Sequence, residues 1–294
     1  MEERRSPEEE RSVAAELAGL AREVWGAREL LAQLTLRDVR SRYAQAVMGF
    51  AWALLTPLLV LGAGSLVRYA MSYVTGAPLE PATLLGISVK ALPWSFFVGS
   101  VGFAMVSLTG NLELVTKVAF PRLVLPLSAT LTQAFDTALG AVALGAGIAL
   151  FAYPGPSLLW VPLLALLSFL LTGAAGVFLA CANLFFRDVK HIVQVLLTFG
   201  IFFTPVFFEP QMLGARGARL LMLNPLSPLL EGLRLCVVQG HDLARSLRVW
   251  DARGHGFEVW SPWYLLYATA FSVLAFLASC LWFRRLEHRF AENV

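Results

Sequence analysis

Charge is withheld from long stretches of this 294-residue chain, and that spacing constrains the fold more than any other feature. Uncharged runs occupy 43–67, 91–112, 137–186, 192–208 and 259–283, which are 25, 22, 50, 17 and 25 residues long. A helix needs about 20 apolar residues to cross a hydrocarbon layer roughly 30 Å thick, because each residue advances it only about 1.5 Å. The 50-residue run is too long for one crossing, and Tyr153-Pro154-Gly155-Pro156-Ser157 divides it. The pattern predicts six spans, at about 47–68, 92–112, 127–152, 158–182, 191–208 and 263–283. With 57% hydrophobic and 15% charged residues, the chain is neither a soluble enzyme, nor a nucleic-acid-binding domain, nor a disordered segment.

Orientation follows from where the basic residues lie, since a net charge of +3 says little by itself. Arg37, Arg40, Arg42, Lys117, Arg122, Arg187, Lys190, Arg284, Arg285 and Arg289 flank one set of span ends, whereas the short loops opposite offer only Arg68 and Lys90. The positive-inside rule therefore places both termini in the cytoplasm. The long outer loop 209–262 carries six arginines, but long segments cross largely regardless of charge. The first 12 residues are mostly charged and no apolar h-region follows, so no cleavable signal is expected. Cys181 and Cys280 fall in spans and Cys236 in the outer loop, a scatter with no disulfide or metal-ligand spacing.

Residues 1–42 read as a cytoplasmic tail with an amphipathic interface helix, and 43–290 as the transmembrane domain. Ser6-Pro7-Glu8-Glu9 has the order of a helix start, and Val13, Leu17, Leu20, Val24, Ala27, Leu31 and Leu34 repeat at spacings of four and three. Such a stripe suits a helix lying in the membrane interface, with Gly26 as a point of division. Span three is rich in small residues (Ala138, Gly140, Ala141, Ala143, Gly145, Gly147), as close helix packing in lipid requires. The apolar stretch 220–230 is too short to cross and reads as a re-entrant or interfacial element. Trp250, Trp260 and Trp263 read as membrane-interface anchors. The fold class is thus an all-α integral membrane protein with an N-terminal interface helix and short helices between spans five and six.

No residues assemble into hydrolytic chemistry. The three lysines, Lys90, Lys117 and Lys190, are preceded by Val, Thr and Val, so none completes the Gly-Lys-Ser/Thr of a phosphate-binding loop. The four histidines show no paired ligand spacing, and no Gly-x-Ser-x-Gly elbow occurs. Catalytic residues, metal ligands and cofactors of this chain are accordingly expected to be none. Asp136, about ten residues into span three, needs a partner or a water-filled cavity. Two roles stay open for it: a proton relay, or a structural carboxylate bonded near Thr132, Gln133 or Thr137.

Three clusters invite a functional reading. Arg37, Asp38, Arg40, Arg42 and Tyr43 stand at the boundary before span one, where they either orient the helix or meet anionic lipid and diphosphate head groups. Asn111–Arg122 is either a simple connector or a short helix that docks a soluble partner. Phe185–Lys190 is either a self-neutralising turn, through Arg187 and Asp188, or a second partner contact. Span five adds Phe199, Phe202, Phe203, Phe207 and Phe208, and span one Phe50 and Trp52, rings suited to sugar faces or to packing.

With the anchors Leu36–Pro57, Asn111–Pro126, Phe185–Pro205 and the late Asn224-Pro225-Leu226 with Arg234, the sequence resembles the membrane subunits of polysaccharide-exporting ABC transporters of the ABC-2 class. That family exports O-antigen, capsule or teichoic-acid polymers. The resemblance implies a homodimeric channel in the bacterial cytoplasmic (inner) membrane, served by two copies of a separate ATPase that binds ATP and Mg. It implies a coupling helix around Leu114–Phe120, with Leu114, Lys117, Phe120, Arg122, Arg187 and Asp188 toward the ATPase. It further implies gate helices within 209–235 and a path along spans one and five, lined by Phe50, Trp52, Phe199, Phe202, Phe203 and Phe207. The expected partners are a lipid-linked polysaccharide, membrane lipids, a second copy and the ATPase, with no nucleic acid. Alternatives are a permease for a small amphiphile, such as a drug or lipo-oligosaccharide, and a proton-coupled transporter using Asp136.

Overall fold

The computed structural model describes residues 13–44, 51–76, 80–118, 120–149, 155–250 and 256–292. The helix start at Ser6–Glu9 and Phe50 lie outside the described residues, as does the side chain of Trp52. Helix α1 (Val13–Gly26) and helix α2 (Arg28–Ala44) are separated at Ala27, next to Gly26. The long helices are α3 (Ala51–Thr75), α4 (Pro81–Val106), α6 (Val124–Ala149), α7 (Trp160–Phe185) and α11 (Pro262–Leu286). Shorter ones are α5 (Leu112–Lys117), α8 (Val189–Gly200), α9 (Gly214–Leu221) and α10 (Leu226–Val238).

Among the described residues, three stretches, Pro81–Val106, Pro156–Phe185 and Pro262–Leu286, are long and apolar enough to cross a membrane. Val189–Phe203 is apolar but shorter. Helix α4 is the hub: α3, α6, α7, α8 and α10 all pack on it. It approaches α7 closely at Gly176, where an added Cβ would meet the Ala104 methyl at 2.8 Å. Lipid tails are as apolar as these side chains, so this packing is held by close contact rather than by escape from water.

Two large apolar cores form, one at each end of the bundle, and a small cluster of Val101, Met105 and Val193 joins α4 to α8. The terminal end collects Leu20, Leu34, Leu108, Val115, Leu125, Cys181, Phe283 and Phe290, bringing α1, α2, α5 and the turn Glu287–Glu292 together. There Glu23 pairs with Arg284 at 3.2 Å and Glu16 with Arg285 at 3.6 Å, holding α1 against α11. The opposite end collects Trp94, Leu164, Leu229, Leu235, Leu243 and Trp260 beneath α10.

Four expectations change. The second apolar helix begins at Pro81 rather than 92 and ends at Val106 rather than 112, so Lys90 lies inside it. The fifth ends its regular helix at Gly200; a 3₁₀ turn, Ile201–Phe203, follows and Thr204 is extended (φ −128°, ψ 147°). Pro205 explains this stop, because proline has no N–H and forces the preceding residue out of helical geometry. An antiparallel hairpin, β1 (Leu247–Trp250) with β2 (Gly256–Trp260), stands within 209–262, where the all-α reading expected only short helices. Trp260 anchors no interface: it is fully buried and donates Nε1–H to the Leu243 carbonyl at 3.0 Å, whereas Trp250 and Trp263 are exposed.

Candidate functional site

Helix α8 packs on α4 and α7 through buried Val193 and half-buried Val189, Leu197 and Gly200. Its other residues are exposed, and they form two faces. Lys190, Gln194 and Thr198 fall at spacings of four, so they form a ladder along one side. That ladder borders a cleft of about 570 Å³ between α3, α4 and α8, lined also by Val60, Trp94 and Ser95. Ile192, Val195, Leu196, Phe199 and Phe203 form an exposed apolar stripe on the other side. Phe202 is exposed and meets Phe207 edge-on at 6.5 Å. Phe207 itself is wedged against α3, where a Cβ at Gly64 would lie 2.8 Å from its ring. The expected aromatics thus divide into exposed rings (Phe199, Phe202, Phe203) and a packed one (Phe207). The polar ladder was not anticipated, although a period of four in an otherwise apolar run is its visible signal.

At the α10 end, four charges meet in the protein interior. Lys90, Glu231 and Arg234 are 1%, 0% and 3% exposed. Lys90 Nζ donates to the Phe208 carbonyl at 2.8 Å and lies 3.9 Å from Glu231. Arg234 Nε bonds both Glu231 oxygens at 3.0 and 3.1 Å, and its Nη1 lies 3.8 Å from Glu209. Two cations therefore face two carboxylates, which is the condition for burying any of them. Gly86 makes room for Arg234, whose stem a Cβ there would meet at 3.1 Å. Asn224 supports the same element: its Oδ1 accepts the Leu226 N–H at 3.1 Å and its Nδ2 donates to the Phe203 carbonyl at 3.2 Å. The Asn-Pro-Leu signature thereby joins the end of α8 to the start of α10.

At the terminal end, Asp136 finds its partners on α2 rather than on its own helix. It accepts from Arg42 and from the Tyr43 hydroxyl, and Arg42 also reaches Gln133 Oε1 at 3.1 Å. The Arg42 guanidinium lies 4.3 Å from the Phe103 ring centroid, a cation–π contact. Arg37 pairs with neighbouring Asp38 at 2.8 Å and touches Asn111 at 3.4 Å. Arg40 is exposed and forms no ion pair among the described residues. Tyr43 is raised above the ordinary phenol value by burial first and by its bond to Asp136 second.

The 3₁₀ turn Thr109–Asn111 leads into α5. Val115 is buried, while Glu113 and Lys117, 3.8 Å apart, are exposed on the far side with Leu112 and Val118. Leu114 lies in α5 and Phe120 packs against the terminal core. Arg122 is committed inward: its Nε donates to the Val115 carbonyl at 3.2 Å and its Nη1 to the Glu287 carbonyl at 3.0 Å. Asn183 Nδ2 donates to the Met105 carbonyl at 3.2 Å, bringing the 186–188 turn to the same end. Arg187 and Asp188 are exposed there, Asp188 as the residue before α8 with no side-chain cap bond.

With this geometry in hand, the relatives are informative. The ABC-2 type transporter family model matches residues 29–237. The O-antigen export system permease protein RfbA of Myxococcus xanthus is 34% identical over 214 residues, 72% of this chain and 81% of that protein. A permease of the same name from Klebsiella pneumoniae is 24% identical over 266 residues, 90% of this chain and 94% of its own length. The matched segment contains the cleft, the Asp136 cluster, α5 and the buried charges.

Proposed function

Because the chain belongs to the ABC-2 type transporter family, we propose that it is the membrane subunit of an exporter that carries a lipid-linked, O-antigen-like polysaccharide across the inner membrane. The observation that carries the reading is α8. A helix so little packed on its own protomer, with a polar ladder beside an aromatic stripe, needs another surface. A second copy of the chain supplies it, and the polymer passes between the two. Sugars need both halves of that lining: hydroxyls bond to Gln194 and Thr198, and C–H faces stack on Phe199, Phe202 and Phe203. Lys190, unpaired among the described residues, meets the diphosphate of the carrier at the entrance.

In this reading six spans cross the bilayer, α8 completing its crossing through the non-helical 204–208 segment. Both termini are cytoplasmic, α5 with the 186–188 turn receives a separate ATPase, and α9 with α10 gates the outer end. The ATP and its magnesium belong to that ATPase, since this chain has no phosphate-binding loop. Asp136, tied to Arg42 and Tyr43, fastens α2 to α6 instead of relaying protons.

The test is surface polymer in a strain lacking the chromosomal copy and supplied with this chain and its ATPase. The wild-type chain restores the polymer. A Gln194→Leu/Thr198→Val double variant and a Phe202→Ala/Phe203→Ala double variant insert normally and lose it. Normal polymer in both variants removes α8 from the path; normal polymer without the chain removes the function.

A further inference from the structure

Charge is distributed unevenly between the α8 cleft and the rest of the bundle. Apart from Lys190, the described residues that line the cleft all lie within 43–67, 91–112 or 192–208. None of these three segments contains Asp, Glu, Lys, Arg or His. Lipid alone does not account for this. The same bundle buries Lys90, Asp136, Glu231 and Arg234 beside opposite charges, so it admits charge where a partner waits. A path built for a polymer with an anion in every repeat would hold cations in the same way. This cleft holds one, at one end.

The hydroxyls of the cleft point to the same selection. Ser95 and Thr198 both line it, and each gives its hydrogen to a carbonyl one turn back. Ser95 Oγ donates to Ala91 at 2.8 Å, and Thr198 Oγ to Gln194 at 2.8 Å. What remains on each oxygen is lone pairs. A sugar hydroxyl can donate to these, whereas an ionised carboxylate or phosphodiester only accepts and cannot. Gln194 adds an amide that both donates and accepts and carries no charge. Lys190 stands eight residues before Thr198, about 12 Å along the helix at 1.5 Å per residue. That exceeds the screening length of about 8 Å at physiological salt, so one lysine cannot neutralise a succession of anions along the ladder. Beyond Thr198 the exposed rings Phe199, Phe202 and Phe203 continue the uncharged surface.

We propose that the exported polymer has an uncharged repeat unit, and that Gln194 and Thr198 are the residues that select it. The one anion recognised is the diphosphate of the carrier, at Lys190. This inference rests on the reading that α8 lines the export path, and it narrows the substrate to neutral glycans.

The test uses one host without an exporter of its own, this chain with its ATPase, and two lipid-linked polymers on the same carrier. One polymer consists of neutral hexoses; the other has a hexuronate in every repeat. The wild-type chain delivers the neutral polymer to the surface better by about tenfold, the ratio that 1.4 kcal/mol sets. Gln194→Lys abolishes most of that ratio by admitting the uronate polymer, and Thr198→Lys repeats the experiment should Gln194→Lys fail to insert. Lys190→Gln lowers both polymers by the same factor, because they share the carrier, and leaves the ratio unchanged. Equal delivery of both polymers by the wild-type chain, an unmoved ratio in the inserted lysine variants, or loss of the uronate polymer alone in Lys190→Gln each overturn the proposal while export itself stands. Delivery of neither polymer removes the export function, and this proposal with it.

Discussion

Glu231→Gln is the most informative single perturbation of this protein. The carboxylate is completely buried and serves both cations, through two bonds to Arg234 Nε and a 3.9 Å approach to Lys90. At an effective dielectric constant near 20, a charge pair at that distance attracts by about 4 kcal/mol. The glutamine keeps size and one acceptor but leaves Lys90 and Arg234 facing Glu209 alone, so one positive charge is uncompensated where no water reaches it. Breaking a buried pair in this way costs about 3–5 kcal/mol, or roughly 6–20 °C of apparent Tm. Lys90→Met/Glu231→Met/Arg234→Met with Glu209→Gln removes every charge and should recover most of the loss, because apolar replacement of a whole buried cluster is about neutral. Tryptophan fluorescence during heating in lipid nanodiscs measures both, with Trp260 beneath α10 as the reporter. An unchanged Tm for Glu231→Gln would refute the buried-charge reasoning. A charge-free variant as unstable as the single one would show that shape, not charge, holds α10.

Three further outcomes follow from the site. Asp136→Asn keeps an acceptor for only one of Arg42 and Tyr43 and loses the charge, a change of about 1–3 kcal/mol, so ATP-dependent export should persist at reduced thermal stability; abolished export with unaltered folding would restore the proton-coupled reading. Lys117→Glu should weaken co-purification of the ATPase without affecting folding, whereas Arg122→Glu should destabilise the chain itself, since its guanidinium holds the Val115 and Glu287 carbonyls; equal effects from the two would reject this division. Asp242 lies below the ordinary carboxylate value because it accepts from the Ala244 N–H and from Trp160 Nε1. A depressed value means that its stabilising effect is present above the ordinary carboxylate pKa and is lost as pH falls through the lowered one, so Asp242→Asn should flatten the acid side of a stability–pH curve measured by Trp160 fluorescence.

Much of the bundle was legible because charge is costly in lipid and its absence persists over whole spans. The break between α6 and α7 at 153–157 and the inward need of Asp136 could be read this way, and the division near Gly26 from the glycine itself. The hairpin could not. Its strands are only four and five residues long, and Leu247, Val249, Phe257 and Val259 alternate too briefly to stand out from a polar loop. Trp260 was misplaced because its partner, the Leu243 carbonyl, is 17 residues away and nothing beside it in the chain separates a buried ring from an interfacial one.

Two misread boundaries share one cause. Lys90 bounded the apolar run 91–112, and Glu231 bounded the apolar stretch 220–230, so each charge was taken as the end of an apolar element. In the folded protein each stands well inside one, α4 and α10, and the two are 3.9 Å apart. An isolated charge marks a boundary because nothing else compensates its burial; a charge with a buried counter-charge carries no such information. Two apolar runs that stop at charges of opposite sign can therefore be extended together, each through the other's partner. That extension lengthens the helix at Lys90, places Arg234 of the Asn-Pro element beside the same carboxylate, and yields the buried cluster from the sequence pattern. It also explains why the α10 end is built this way. A short helix such as α10 has little apolar area with which to hold its position, and a neutral four-charge knot fixes both its height and its rotation against α4.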